Sequence, residues 1–190
     1  PSANRSGELS PTTAQHVERG LGNRVPMILD GGPTTLGIES TVLDLSDRAP
    51  ILLRPGMVTR EELEAVIGPV RVAAPAPEAD DPRPSPGMLE RHYAPKARVV
   101  LFRELAETLP VVAETRANGG QIAALLHALR VTGVDLEERL PNDPAAYARG
   151  LYGALHRLDQ PGVGLILVER VPAAPEWAGI RDRLERAAER

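Results

Sequence analysis

The sequence predicts an α/β protein in two unequal units joined by a Pro-rich linker. Three observations predict it. Strand-like runs bounded by Gly and Pro crowd residues 31 to 73, six prolines fall between Pro75 and Pro95, and from Arg98 onward apolar runs alternate with helical stretches. The last pattern is that of a small, mostly parallel sheet covered by helices.

The chain enters on a polar turn, Ser2-Ala3-Asn4-Arg5-Ser6-Gly7, and Ser10-Pro11-Thr12-Thr13 then reads as a helix start. Ser10 is the expected N-cap, Pro11 sits at the first helical position, and Gly20 and Gly22 stop the helix. A helix N-terminus beside Ser2 and Asn4 offers donors and partial positive charge to a phosphate, although most Ser-capped helices bind nothing. Val25 to Asp30 reads as a strand. The turn from Gly31 to Gly37 brings backbone close to a neighbour and feeds an alternating run, with Thr41, Leu43 and Leu45 on one side and Ser40, Val42 and Asp44 on the other. Ile51 to Arg54 is a second strand, delivering a guanidinium at its tip where Pro55-Gly56 turns the chain. The hydroxyls of Ser40 and Thr41 and the cation of Arg54 suit an anionic or zwitterionic ligand, because Arg holds phosphate through a fixed fork of donors. The same residues also describe a surface hairpin with a solvated Arg, and spacing alone leaves both open.

Thr59 and Glu62 form a capping box for a short helix whose buried stripe is expected at Leu63, Val66 and Ile67, ending at Gly68-Pro69. Val70 to Ala73 closes the first unit, residues 1 to 73. Residues 74 to 96 are the linker, stiffened by proline. Its second half concentrates Met88, Arg91, His92 and Tyr93 between Ser85-Pro86-Gly87 and Ala94-Pro95, more than a solvated tether needs, so this stretch is expected to act as a lid. His92 has no partner at a spacing that would make it a metal ligand or base. In residues 97 to 190, strands are expected at Val99 to Phe102 and Val163 to Glu169, and helices at about 103 to 118, from Asp143 through Leu158, and around Trp177 to Ala188. Gln121 to Leu126 fits a strand or a helix start equally. Tyr147, Tyr152 and Trp177 read as packing residues. No Gly-x-Gly-x-x-Gly follows any of these strands, which removes support for a dinucleotide site.

Composition narrows the function classes. The 190 residues are 42% apolar, enough for substantial cores, but only 3% aromatic with a net charge of −4. Single-strand nucleic-acid binding by stacking and a dominant basic footprint are both disfavoured. Cysteine is absent, which excludes disulfides, thiolate zinc and Cys nucleophiles and agrees with a cytoplasmic location. No run of about 18 apolar residues and no signal-peptide pattern is present.

The motifs together resemble the two-domain threonylcarbamoyl-AMP synthases, YrdC-like enzymes of tRNA modification that carry an extra C-terminal domain. The resemblance rests on Pro1-Ser2-Ala3-Asn4-x-Ser6-Gly7, Ser10-Pro11-Thr12, Asp30-Gly31-Gly32, Gly37-Ile38-Glu39-Ser40-Thr41-Val42, Leu53-Arg54-Pro55-Gly56, Ser85-Pro86-Gly87-Met88 and His92-Tyr93-Ala94-Pro95, in the family's order. It implies the C-terminal part of a YrdC-like twisted α/β domain, the linker, and a small Rossmann-like accessory domain. It further implies a nucleotidyltransferase that condenses L-threonine, bicarbonate and ATP into threonylcarbamoyl-AMP with release of pyrophosphate. A partner complex then moves the threonylcarbamoyl group to tRNA. By motif match Ser2, Asn4, Ser10, Arg54 and Tyr93 are implied at ATP and Ser40 at threonine, with Mg2+ on the phosphates and no protein cage or nucleophile assigned.

The family's remaining basic residues lie in a stretch that this chain begins after, so the chain by itself is expected to lack part of the site wall and to be inactive alone. The competing reading is a noncatalytic RNA-binding or assembly module of the same fold, disfavoured by the acidic balance. A carbamoyl-transfer relative in metal-centre maturation is disfavoured by the missing cysteines.

Overall fold

The computed structural model describes residues 3–73 and 94–188, and in it Thr13 rather than Ser10 caps the first helix. α1 (Ala14–Leu21) starts where the Thr13 hydroxyl accepts from the His16 amide, and it stops at Gly22, whose φ is 49°. The expected start at Ser10 and Pro11 lies too early because the Ser10 hydroxyl is engaged with Glu39, leaving Thr13 to supply the capping oxygen. A second correction concerns Val25 to Asp30, which is irregular chain and not a strand. Strand geometry is held by a neighbour's backbone, and among the described residues no strand pairs with this segment; Met27 and Leu29 stand exposed.

A three-stranded sheet follows. β1 (Val42–Asp44) runs antiparallel to β2 (Ile51–Arg54), and β3 (Arg71–Val72) lies parallel to β2 on its other side. Between β2 and β3, α2 (Arg60–Ile67) has the expected capping box, with reciprocal bonds between Thr59 and Glu62. Its expected buried stripe is not buried: Val66 and Ile67 are exposed and Leu63 only half-covered. The cap and an Arg60–Glu64 pair one turn apart stabilise this helix locally, each by a modest amount.

The larger sheet is fully parallel. Its strands β4 (Arg98–Phe102), β5 (Gln121–Leu126), β6 (Leu136–Arg139) and β7 (Val163–Glu169) take the order β4-β7-β5-β6. Gln121 to Leu126 is therefore a strand, with Ile122 to Leu126 wholly buried, since a central strand covered on both faces reads as a continuous apolar run. α4 (Pro144–Leu158) and α5 (Ala178–Ala188) cover one face, packing Tyr147, Leu151, Leu155, Ile180 and Leu184 against Val99, Ala123, Leu125, Ile166 and Val168. α3 (Leu109–Ala117) covers the other, where Val111 and Val112 meet Phe102, Ile122, Ala124, Leu165 and Leu167. Asp143 caps α4 through the Ala146 amide, as its position before Pro144 predicts. Leu9 and Ile38 join the core under α4 and α5. Thus the helical face of the parallel sheet also buries the segments that lead into Ser10 and Ser40.

Candidate active site

Ser40 and Arg54 are brought together by the β1–β2 pairing. Arg54 lies opposite Val42 in the register, its Nε donates to the Ser40 carbonyl at 3.2 Å, and it is only 9% exposed. This excludes a fully solvated hairpin arginine. Ser40 itself is exposed at the entrance to β1. Thr41, expected beside it as a ligand hydroxyl, instead donates to the Val58 carbonyl at 2.8 Å and ties the start of β1 to the chain beyond Gly56. Gly56 lets this turn close, because a Cβ there would lie 2.3 Å from the Thr41 nitrogen.

Behind these residues sits Glu39, which the residue-by-residue reading left without a role. Its carboxylate accepts from the Ser10 hydroxyl, from the Tyr152 hydroxyl at 3.0 Å and from Arg183 Nε at 2.8 Å. Burial alone would raise its pKa; the Arg183 charge and the hydrogen bonds from Ser10 and Arg183 overcome that and hold it below the usual carboxylate range. Arg183 is 1% exposed, and its donors also reach the Glu39 carbonyl at 3.0 Å and the Pro55 carbonyl at 2.9 Å. Tyr152, expected as packing, therefore also contributes a hydrogen bond. A buried Arg on the same stripe as Ile180, Leu184 and Ala187 is the signal that points to this centre, since an Arg is almost never fully buried without partners.

Asn4 lies upstream of Ser10 in the same segment. Asn4 Nδ2 donates to the carbonyls of Arg5 and Glu8 at 3.0 and 2.9 Å, shaping the turn. Ala94 returns to that same turn: its amide donates to the Gly7 carbonyl at 3.0 Å, and it bridges Glu8. Asp159 then accepts from the Lys96 and Ala97 amides, both at 3.0 Å, fixing the entry to β4. Ser2, Tyr93 and the expected lid lie outside the described residues. An open cleft of about 450 Å3 is lined by Asn4, His16, Arg19, Lys96, His156 and Asp159.

At the wall of this cleft the imidazoles of His16 and His156 stack at 4.0 Å. His156 Nε2 lies 3.2 Å from the Ser10 carbonyl and suits donation to it, while His16 Nδ1 accepts from the Thr12 amide at 3.2 Å. Burial, then the neighbouring charges of His156 and Arg19, bring His16 down from 6.5 to about 4; burial also lowers His156. Burial thus favours the neutral form of both rings. Between about 4 and 6.5 the unfolded chain binds more protons at His16, so stability is full above that window and is lost as pH falls through it. Thermal melts should show the midpoint dropping across this window, and His16→Gln should flatten the drop; an identical slope in the variant would rule out the histidine pair as its origin.

A family profile described as "Threonylcarbamoyl-AMP synthase, C-terminal domain" matches residues 58–189, and one described as "Telomere recombination" matches residues 1–56. The threonylcarbamoyl-AMP synthase of Bacillus subtilis is 38% identical over 193 residues, and that of Pyrococcus abyssi 36% over 199; each alignment takes in 99% of this chain and 56% of the relative. The chain thus spans little more than half the length of these curated relatives. The crystal structure of P. abyssi Sua5 complexed with L-threonine superposes with a TM-score of 0.84 at 35% identity, covering 99% of this chain and 56% of that one. With a profile matching most of its length and a shared fold along nearly all of it, the chain belongs to the threonylcarbamoyl-AMP synthase family.

Proposed function

We propose that this chain forms part of an L-threonylcarbamoyladenylate synthase, a nucleotidyltransferase that makes threonylcarbamoyl-AMP and pyrophosphate from L-threonine, bicarbonate and ATP for tRNA modification. The observation that carries the reading is the likeness to a structure complexed with L-threonine, which extends through the segments holding Ser40 and Arg54. The names of the relatives support this reading over a noncatalytic RNA-binding module.

In this reading Ser40 presents its exposed hydroxyl to threonine, and Arg54 neutralises charge on the nucleotide. Ser2, Asn4, Ser10 and Tyr93 complete the ATP contacts. Ser10 reaches the nucleotide only by sharing or exchanging its bond to Glu39. The threonine amine condenses with bicarbonate to a carbamate, releasing water; a carbamate oxygen then attacks the α-phosphorus, and the bond to the bridging oxygen breaks as pyrophosphate leaves. That step needs a held triphosphate and neutralised charge more than a protein nucleophile. Mg2+, bound with the triphosphate as part of the substrate, would supply positive charge there, and no described residue is assigned to hold it. The product then passes to a transfer complex acting on tRNA. The test is pyrophosphate release by the protein made from its complete gene. Release that requires both threonine and bicarbonate is expected; release without threonine, or none, overturns the reading.

A further inference from the structure

We propose that Arg183, on α5, is a positioning residue that aligns Ser40 with Arg54. The proposal rests on the roles given to those two residues above and adds what sets their geometry. One guanidinium spans two separate chain segments. Nε and Nη2 bind the side chain and carbonyl of Glu39, immediately before Ser40, while Nη1 binds the carbonyl of Pro55, immediately after Arg54. Nη1 also meets Asp182 Oδ2 at 2.6 Å. The rigid fork therefore fixes the spacing between the two segments from behind, while the Arg54 Nε bond to the Ser40 carbonyl fixes it from within.

The surrounding backbone is built for this contact. One turn before Arg183, Gly179 approaches the loop after Arg54 so closely that a Cβ would lie 2.7 Å from the Gly56 carbonyl oxygen. Ser10 and Tyr152 satisfy the remaining acceptor capacity of Glu39. A buried ion pair is a poor way to gain stability, because desolvation offsets most of the attraction. What this one supplies is a fixed orientation. Neither a lysine, with a single point of charge, nor an apolar residue reproduces a planar fork that holds two carbonyls and two carboxylates at once.

The experiment uses the protein made from its complete gene. Arg183→Met leaves the part-buried Glu39 carboxylate without its counter-charge, so it is accompanied by Arg183→Met/Glu39→Gln, which removes both charges of that pair, and by Arg183→Lys. Arg116→Met, which removes an Arg116–Asp135 pair on the far side of the parallel sheet, controls for general loss of stability. The double variant and Arg183→Lys should each raise the KM for L-threonine by about tenfold or more, with Arg116→Met leaving it unchanged. Adding Ser40→Ala to Arg183→Met should cost less than the two separate effects combined, since both act through one contact. Amide hydrogen exchange at residues 38–41 and 54–57 should quicken in each Arg183 variant. Unchanged KM, strict additivity with Ser40→Ala, or unchanged exchange at both segments each overturns the proposal. If the unaltered protein makes no threonine-dependent pyrophosphate, the functional reading fails, and the exchange measurement still decides whether Arg183 fixes the two segments.

Discussion

Gly37→Ala should lower the thermal stability of this protein by about 3 kcal/mol, whereas Gly31→Ala, a few residues earlier, should change it little. Gly37 adopts a φ of +83°, and a Cβ built there would fall 2.2 Å from the Ala148 carbonyl oxygen and 2.4 Å from the Arg149 Cα. Two costs add: a left-handed conformation for a residue with a side chain, and a clash with helix backbone that has no flexible end to give way. Gly31 has open space around it. The change also bears on the site, because Ile38 and Glu39 follow directly and both are seated against the helical layer. Denaturant melts of the two variants check this; a Gly37→Ala variant as stable as Gly31→Ala would mean that the segment does not dock as described.

Arg54→Ala should weaken ATP binding by about 1.5 to 3 kcal/mol in the protein made from its complete gene, while Arg98→Ala should leave it nearly unchanged. Arg54 is held at the end of β2 against the Ser40 carbonyl, so its charge is fixed before any ligand arrives. Arg98 begins β4 and meets Glu114 at 3.5 Å on a solvated surface, a pairing of small energetic weight. Titration calorimetry with ATP separates the two. Equal affinities would remove Arg54 from the nucleotide contacts.

Local chemistry is readable wherever a few adjacent residues decide the outcome. The Thr59 and Glu62 capping box, the helix end at about residue 118 and the helix from Asp143 through Leu158 all stand where the sequence places them. Failures occur where the deciding partner is remote. Val25 to Asp30 carries an apolar run like a strand but has no described neighbour to pair with. β6 escaped notice because Leu136, Glu137, Glu138 and Arg139 form a charged edge strand, the composition that discourages further pairing and also hides the apolar signal. Ser10 looked like a cap because the group that claims its hydroxyl, Glu39, lies 29 positions away.

The site was half legible for the same reason. Ser40 and Arg54 could be brought together on paper because a short hairpin-like pairing joins them. Glu39 and Arg183 are separated by 144 positions, and no local rule links them. What the sequence does carry is a charged residue among Ile180, Leu184 and Ala187, an anomaly that asks for a buried acceptor without naming it.

The strand order gives the protein a schedule as it leaves the ribosome. Among the described residues β4 pairs in the parallel sheet with β7 alone, and β7 follows both β5 and β6 in the chain. While β5 can pair with β6, β4 must wait with an apolar edge open until residues 163–169 emerge. An unpaired strand edge of that kind is a surface that neighbouring chains can join. Arg183 is made later still, so Ser40 and Arg54, synthesised well before it, acquire their final spacing only when α5 has been delivered.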